Sequence, residues 1–547
     1  MNTASPVLKH ALAALLLALP LLTASCARKG PDYRAIPDAA AVADGGEEVS
    51  GSAGDADKLN PILVGDATSQ GICDSVFNGL TRYNPKLQLE GALAESWEVR
   101  DKGLTLVFHL RHGVRWHDGQ PFTSADVKFT VDSIMDTRVA SPAKSLFDLV
   151  SRIETPDDWT VVARYKKAFA PALEAWGMDI IPRHLLLGHD LNTDPFNRHP
   201  VGTGPYVFRS WTDKQSVVLD ANPDYWEGKV HIATQVLRII PDPSTQLLEL
   251  KAGGIDGMTL QPDQYLTGTS DEAFGRVVRK FRYPGLHLYT YLAFNLARPP
   301  FDDLKVRWAL SSAIDRTELI QGVMQGLARP CSGPYSPLMQ AYDQSVQPVA
   351  LDLTKAAALL DQAGWALGPD GLRHKGGRAF EFKLITNSGN TPRVKTVEIM
   401  QQQFAKLGVK ADVLTYEWST FVSSHIDNHD FDAAVLGWQL SMDPDQYSVF
   451  HSSQTHAGEE NFVSLKDAEV DRLLEQGRTT FDPAKRTATY RALHRRIAEL
   501  QPYAFLYAPD DLSALSLKFQ GLVETDTGHD WYSPTHWYIP RSVQKAP

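Results

Sequence analysis

The residue types that chemistry needs are thinly spread in this chain. The densest group is His425, Asp427, His429, Asp430 and Asp432. Imidazoles and carboxylates at that spacing suit a divalent ion, yet the run reads more simply as a solvated loop between a helix and a strand. Asp443-Pro444-Asp445 is too short for a calcium loop, which needs ligands at alternate positions and a closing Glu. There is no G-x-S-x-G elbow, no H-E-x-x-H pair, no phosphate loop and no G-x-G-x-x-G after a strand. Of the three cysteines, Cys73 and Cys331 have no C-x-x-C or His partner, which argues against zinc or redox chemistry. They read as two buried free thiols, with a single disulfide as the alternative. The chain is therefore expected to hold no catalytic residues, no metal and no cofactor. Carboxylates that pair only in the fold, as in glycoside hydrolysis, keep an enzyme open as an alternative.

The elements that must position any site alternate between strand and helix. Leu104, Leu106, Phe108 and Leu110 interleave with Thr105, Val107 and His109, which is strand spacing. Thr123 or Ser124 caps a helix carrying Val127, Val131 and Ile134. Asp302 and Asp303 precede a helix with Val306, Leu310, Ala313 and Ile314 on one face. Thr354 to Ala363 forms another, closed by Gly364. Val394, Val397, Met400, Phe404 and Leu407 line a third, closed by Gly408 and followed by a strand at Val409–Val413. The fold class is α/β. The region 95–200 is richer in strands and turns.

The chain of 547 residues is long enough for two or three domains with sizeable cores. Its 54 basic and 65 acidic residues give a net charge of −11, which argues against a nucleic-acid partner. Lys9 and His10 precede an Ala- and Leu-rich run, Ala11–Leu22. Twelve residues span roughly 18 Å as a helix, too short for a ~30 Å hydrocarbon core. A basic start, a short apolar centre and small residues before a cut site mark a secretory signal, residues 1–25. Leu22-Thr23-Ala24-Ser25-Cys26 resembles the lipobox of bacterial lipoproteins, in which the Cys thiol is lipidated. Residues 26–57 are rich in Ala, Gly, Asp and Pro, and read as a flexible spacer behind that anchor. The protein is expected outside the cytoplasm, in the periplasm or at the cell surface, held to a membrane by its lipid.

Four blocks in fixed order resemble the extracytoplasmic solute-binding proteins of ABC importers, family 5, which includes oligopeptide-, dipeptide- and nickel-binding proteins. The first runs from Ala94-Glu95-Ser96-Trp97-Glu98 through Val114-Arg115-Trp116-His117-Asp118-Gly119 to Thr123-Ser124-Ala125-Asp126-Val127. The second is Gly202-Thr203-Gly204-Pro205-Tyr206. The third spans Phe294-Asn295, Pro300-Phe301-Asp302-Asp303 and Val306 to Arg316, and the fourth is Gly437-Trp438 with Asp443-Pro444-Asp445. The resemblance implies a two-lobed α/β body with an extra subdomain: 58–94, 201–288 and 509–547 as lobe I, 95–200 as the subdomain, and 289–508 as lobe II. In such a fold the lobes close on a ligand between them.

Carried over residue by residue, the resemblance offers Gly65, Asp66, Ala67 and Thr68 as backbone contacts after the first strand. Gly437 and Trp438 would line the cleft, Trp418 and Tyr507 would supply aromatic walls, and Asn295 would be a further contact. Ser441 departs from the family, whose peptide binders commonly carry Asp there to pair with the peptide amine. Asp443 or Asp66 would have to serve instead, and sugar-like or opine-like ligands become competitors. The function implied is a monomeric, lipid-anchored binding subunit that captures a peptide or similar polar solute and delivers it to a membrane permease. A ligand sensor of the same fold and an extracytoplasmic hydrolase are the alternatives.

Overall fold

The computed structural model describes residues 33–36, 41–286, 288–525, 528–529 and 534–544. The signal segment and Cys26 lie outside the described residues. Among those described, no helix is long and apolar enough to cross a membrane.

Strand β1 (Glu47–Ser52) comes first, and helix α1 (Ala67–Val76) follows with Asp66 as its N-cap. Strands β2 (Ala94–Arg100), β3 (Thr105–Leu110), β4 (Val150–Asp157) and β5 (Thr160–Tyr165) form an antiparallel sheet ordered β2-β3-β5-β4. Helix α2 (Ser124–Met135), opened by a Thr123–Asp126 capping box, packs on β4 and β5. The helix buries Leu106 and Phe108 in a shared core, Val107 is buried on the other face, and Leu104, just before the strand, stays 41 % exposed. The alternation read for 104–110 is thus a two-sided strand with its first Leu outside. A one-turn helix, α3 (Ala172–Ala175), follows this sheet.

The chain then makes β6 (Tyr206–Thr212), β7 (Ser216–Ala221), β8 (Thr234–Ile239), helix α4 (Pro243–Ala252), β9 (Gly257–Thr259) and β10 (Val278–Tyr283). Next come β11 (Leu288–Phe294), helix α5 (Leu304–Ala313), β12 (Ala328–Pro330) and helix α6 (Leu353–Gln362). Strand β13 (Glu381–Asn387), helix α7 (Thr391–Ala405), β14 (Lys410–Tyr416) and β15 (Ala433–Gln439) follow. Helices α8 (Ala468–Thr479) and α9 (Pro483–Leu500) lead to β16 (Tyr503–Pro509). These strands build a six-stranded sheet, β12-β16-β11-β15-β13-β14, which is the sheet of lobe II. Strand β17 (Asp511–Ser516) then returns to the first lobe and completes a seven-stranded sheet, β10-β17-β9-β1-β8-β7-β6.

One expectation is corrected. The spacer reading of 26–57 fails at β1, which lies inside the seven-stranded sheet between β8 and β9. Its sequence, Glu-Glu-Val-Ser-Gly-Ser, carries one apolar side chain, and ladder hydrogen bonds on both edges hold it instead. Residues 58–94 pack in one core that joins lobe I to the subdomain: Leu59, Ile62 and Val76 share a cluster with Tyr206, Val217 and Leu219 of the lobe I sheet and with Phe108, Val131 and Trp176 of the subdomain. Cys73 and Cys331 are both buried and free.

Two crossovers join the lobes. The segment between β10 and β11 passes the β16–β17 junction so closely that a Cβ on Gly285 would lie 1.9 Å from the Pro509 carbonyl oxygen, so only glycine fits. Beside them the Asp510 side chain is wholly buried. It accepts from Arg282 of β10 at 2.6 Å and from Arg329 of β12 at 3.2 Å, one cation from each lobe.

Candidate functional site

Strands β13 and β14 run parallel, β15 runs parallel to β13, and β11 lies antiparallel to both β15 and β16. The carboxyl ends of β13, β14, β15 and β16 therefore meet along one edge of lobe II. In open α/β sheets that edge is where ligands bind, because loops and helix N-termini converge there.

Strand β15 shows how the sequence makes a wall. Ala433 to Leu436 are buried, as a central strand covered on both faces requires. Gly437 and Trp438 emerge half-buried, and Gln439 is exposed. The Trp438 indole donates to the Tyr503 hydroxyl at 3.3 Å and stacks on Tyr291 at 6.3 Å. A ring braced in this way presents a fixed apolar face. A Cβ on Gly437 would sit 3.0 Å from the Tyr289 carbonyl oxygen and 3.1 Å from Arg393 Nη2. The glycine thus lets the Arg393 guanidinium lie against the strand.

Past β15 the loop meets the subdomain. Ser441 Oγ donates to both carboxylate oxygens of Glu174 on α3, at 3.1 and 3.3 Å. Close by, the Ala170 amide donates to the Arg478 carbonyl at 2.6 Å, and the Arg478 guanidinium lies over Phe169. Phe481 packs into the subdomain core against Gly103, and Leu87 reaches into the core of lobe II. The subdomain and lobe II are in contact along this line, so one side of the cleft is closed. Burial, with the Asp443 charge adding to it, pushes the Glu174 carboxyl up to about 7. Tyr83, on the same wall, is raised by burial and then by Glu174 and Asp443.

The predicted residues divide clearly. Gly437, Trp438 and Ser441 line one stretch of the strand-end edge. Asp443, two positions on, is buried and accepts from both Nη atoms of Arg486 at 2.8 and 2.7 Å. That bidentate pair leaves it no role as a free anion. Tyr507 is buried on β16, with its hydroxyl bonded to Thr396 Oγ1 at 3.0 Å. Trp418 is 52 % exposed at the carboxyl end of β14, with its ring 6.1 Å from Phe421. Asn295 lies on the opposite edge, beyond the end of β11, where it donates to the His429 and Phe431 carbonyls and accepts from Ala297. Its amide is a structural clasp.

Gly65, Asp66, Ala67 and Thr68 sit after β1, at the entry to α1, and Thr68 Oγ1 is 3.2 Å from Ser52 Oγ at the end of that strand. Gly65 has open space where a Cβ would stand. Asp66 accepts from the Ser69 amide and hydroxyl, so its side chain is engaged as a helix cap. In the His425–Asp432 run, His425 bonds to the Asp430 carbonyl, Asp430 pairs with Arg298 and Asp432 accepts from the Lys383 amide. Among the described residues no group of three or more His, Cys, Asp or Glu side chains is placed to hold a metal.

Two residues escaped the sequence reading. Glu174 carries no local signal, since it lies in a one-turn helix 267 positions from Ser441. Arg393 did carry one. It stands in the first turn of α7, three residues after the Asn390 cap, where the helix dipole disfavours a cation. Its Nη1 donates to Asn387 Oδ1 at 3.0 Å, and burial lowers its pKa, opposed by the nearby Tyr291 and Tyr507.

Comparison with known proteins agrees with this architecture. Residues 88–459 match the bacterial extracellular solute-binding proteins, family 5 Middle. The chain is 32 % identical over 541 residues to the oligopeptide-binding protein AppA of Bacillus subtilis, covering 96 % of this chain and 98 % of that protein. The structure of that protein in complex with a nonapeptide superposes with a TM-score of 0.69 at 31 % identity, over 91 % of this chain and all of the other. NikZ from Campylobacter jejuni, solved with Ni(L-His), gives 0.71 at 28 % identity over 90 % and 99 % of the two chains.

Proposed function

We propose a function for a chain that belongs to the bacterial extracellular solute-binding proteins, family 5: it captures a peptide between its lobes and hands it to an ABC permease. The observation that carries the reading is the strand-end edge of lobe II, where Gly437 and the braced Trp438 lead into the loop whose Ser441 meets the subdomain. An aromatic face supplies apolar area, and exposed backbone at a strand end orients polar ligand atoms. A relative named for oligopeptide binding matches along nearly the whole chain, which supports the same ligand class here. The chemistry is reversible capture by closure, with no covalent step. Cys26 carries the lipid that keeps a monomeric binding protein beside its membrane partner and raises its local concentration there.

Thermal unfolding with di- to pentapeptides, an oligosaccharide and Ni(II) with histidine tests this. A true ligand at 100 times its Kd adds about 2.7 kcal/mol to stability. Stabilisation by peptides, recovered uncleaved by mass spectrometry, is expected. Stabilisation by the sugar or nickel alone would overturn the peptide reading, and cleaved peptide would turn it into an enzyme. Loss of peptide uptake in cells lacking the protein distinguishes import from sensing, and loss of labelled lipid in Cys26→Ser tests the anchor.

A further inference from the structure

Glu174 of the subdomain and Arg393 of lobe II are opposite charges placed beside the same strand end, and among the described residues neither forms an ion pair. Among the described residues no Lys, Arg or His bonds the Glu174 carboxylate, whose partner is the neutral Ser441 hydroxyl. Arg486 acts on it only from a distance, with both Nη atoms held by Asp443. The Arg393 guanidinium likewise has no carboxylate partner among the described residues, only the neutral Asn387 amide oxygen. Elsewhere such groups are satisfied within the fold: Asp443 pairs with Arg486, Asp445 with Arg478 and Asp467 with Arg496, while the buried Arg307 and Arg316 each donate to several backbone carbonyls. Desolvating a charge without a partner is costly, so two such groups beside one strand end need a reason.

The strand gives their spacing. Arg393 lies against Gly437, and Glu174 is held by Ser441 four residues further on. A fully extended chain spans roughly 3.3–3.6 Å per residue, so the two anchor positions are no more than about 14 Å apart. That is the reach of a short extended peptide between its termini.

We infer that the cleft takes its ligand as a short zwitterion, with the ammonium group on Glu174 of the subdomain and the carboxylate on Arg393 of lobe II. The inference rests on the peptide reading and sharpens it. The amine, which Ser441 cannot neutralise, is read from across the cleft, so the ammonium pairs with the subdomain only when the cleft is closed. Ser441 becomes a positioning residue for the carboxylate. Neutralising two opposite charges with one ligand also explains why Glu174 and Arg393 need not reach each other.

Isothermal titration of the wild-type protein with tri- and tetrapeptides, free, N-acetylated or C-amidated, tests this without any mutation. Each cap is expected to weaken binding about ten- to a hundredfold. Glu174→Gln should lower affinity for the free peptide by a similar factor and remove the penalty of acetylation while keeping that of amidation. Arg393→Gln should do the reverse. Thermal unfolding without ligand checks that both variants are folded. Free and capped peptides binding wild type equally would overturn the inference and leave the peptide reading intact. An acetylation penalty that persists in Glu174→Gln would overturn the Glu174 assignment. If no peptide binds wild type, the peptide reading falls and this inference with it.

Discussion

The hinge and the mouth of the cleft each contain a carboxylate taken out of water, and they treat it oppositely. At the hinge, Asp510 is wholly buried and gripped by Arg282 from lobe I and Arg329 from lobe II. At the mouth, Glu174 has a serine hydroxyl, the Asp443 backbone and the opposed fields of Asp443 and Arg486, but no ion pair among the described residues. The first arrangement holds the lobes together in any state, since both cations come with the chain. The second leaves a charge unsatisfied until something else supplies the cation. An acid gripped by two cations of its own chain is architecture, while Glu174, placed beside the strand ends of lobe II, is read as a ligand contact.

The largest effect is expected from breaking the hinge. Replacing Arg282 and Arg329 by Ala together strands Asp510 without a cation. Removing the partners of a buried charge costs about 3–5 kcal/mol. The two arginine side chains are 39 % and 50 % exposed, which puts the expected loss at the lower end, about 3 kcal/mol. Denaturant unfolding reads it directly. A loss near zero would mean that Asp510 is satisfied by backbone alone, and the contrast with Glu174 would collapse.

The mouth should show itself in pH dependence. Glu174 is raised from its ordinary 4.5 to about 7, chiefly by burial. Between those values the folded protein holds a proton that the unfolded chain has released. Ligand-free stability should therefore rise as pH falls through about 7 and level off near 4.5. An ammonium ligand needs the ionised carboxylate, so peptide affinity should fall across the same window. Ser441, Asp443, Arg486 and Tyr83 are the groups facing Glu174. Glu48, in the lobe I sheet, is also raised to about 7 by burial, so Glu174→Gln is the needed reference. The difference between wild type and variant should be about 1–2 kcal/mol, discounted because Glu174 is only partly buried by surface area. Parallel slopes in the two proteins would remove Glu174 from the account.

Much of the fold was legible because its elements advertise themselves. The helix face at Val397, Met400 and Phe404 and the apolar run Ala433–Leu436 obey periodicities that a solvated chain would have no reason to keep. Strand β1 was not legible, because its place in the sheet comes from backbone pairing and its second residue is a buried Glu bonded to Gln235. In the site, Gly437 and Trp438 were visible through motif and order. Asp66, Asp443 and Asn295 were named as ligand contacts, yet each side chain is already engaged, which only the fold reveals. Glu174 was invisible because its meaning is its distance from Ser441 in space. Arg393 was readable in principle as a cation at the wrong end of a helix.

A smaller effect should follow Gly437→Ala. The new methyl would press on the Tyr289 carbonyl and the Arg393 guanidinium, at 3.0 and 3.1 Å. Strand backbone cannot yield as easily as a side chain end, so Arg393 should move. Stability should fall by about 1 kcal/mol. The penalty of C-amidation should shrink while that of acetylation persists. If both penalties stay whole, the guanidinium is not where the ligand carboxylate binds.

The smallest effect sharpens the comparison most. Ser441→Ala removes one hydroxyl from an exposed loop position, and ligand-free stability should change by less than about 0.5 kcal/mol. If Ser441 only orients Glu174, the carboxylate remains and still meets an ammonium, so affinity for free peptides should fall only about threefold. The acetylation penalty should remain close to its wild-type size, because the charge that creates it is untouched. A collapse of binding in Ser441→Ala comparable to that in Glu174→Gln would place the amine on the lobe II loop after all. The mouth would then depart from the hinge, whose cations come from both lobes, by building its recognition within one lobe and leaving the facing carboxylate a bystander.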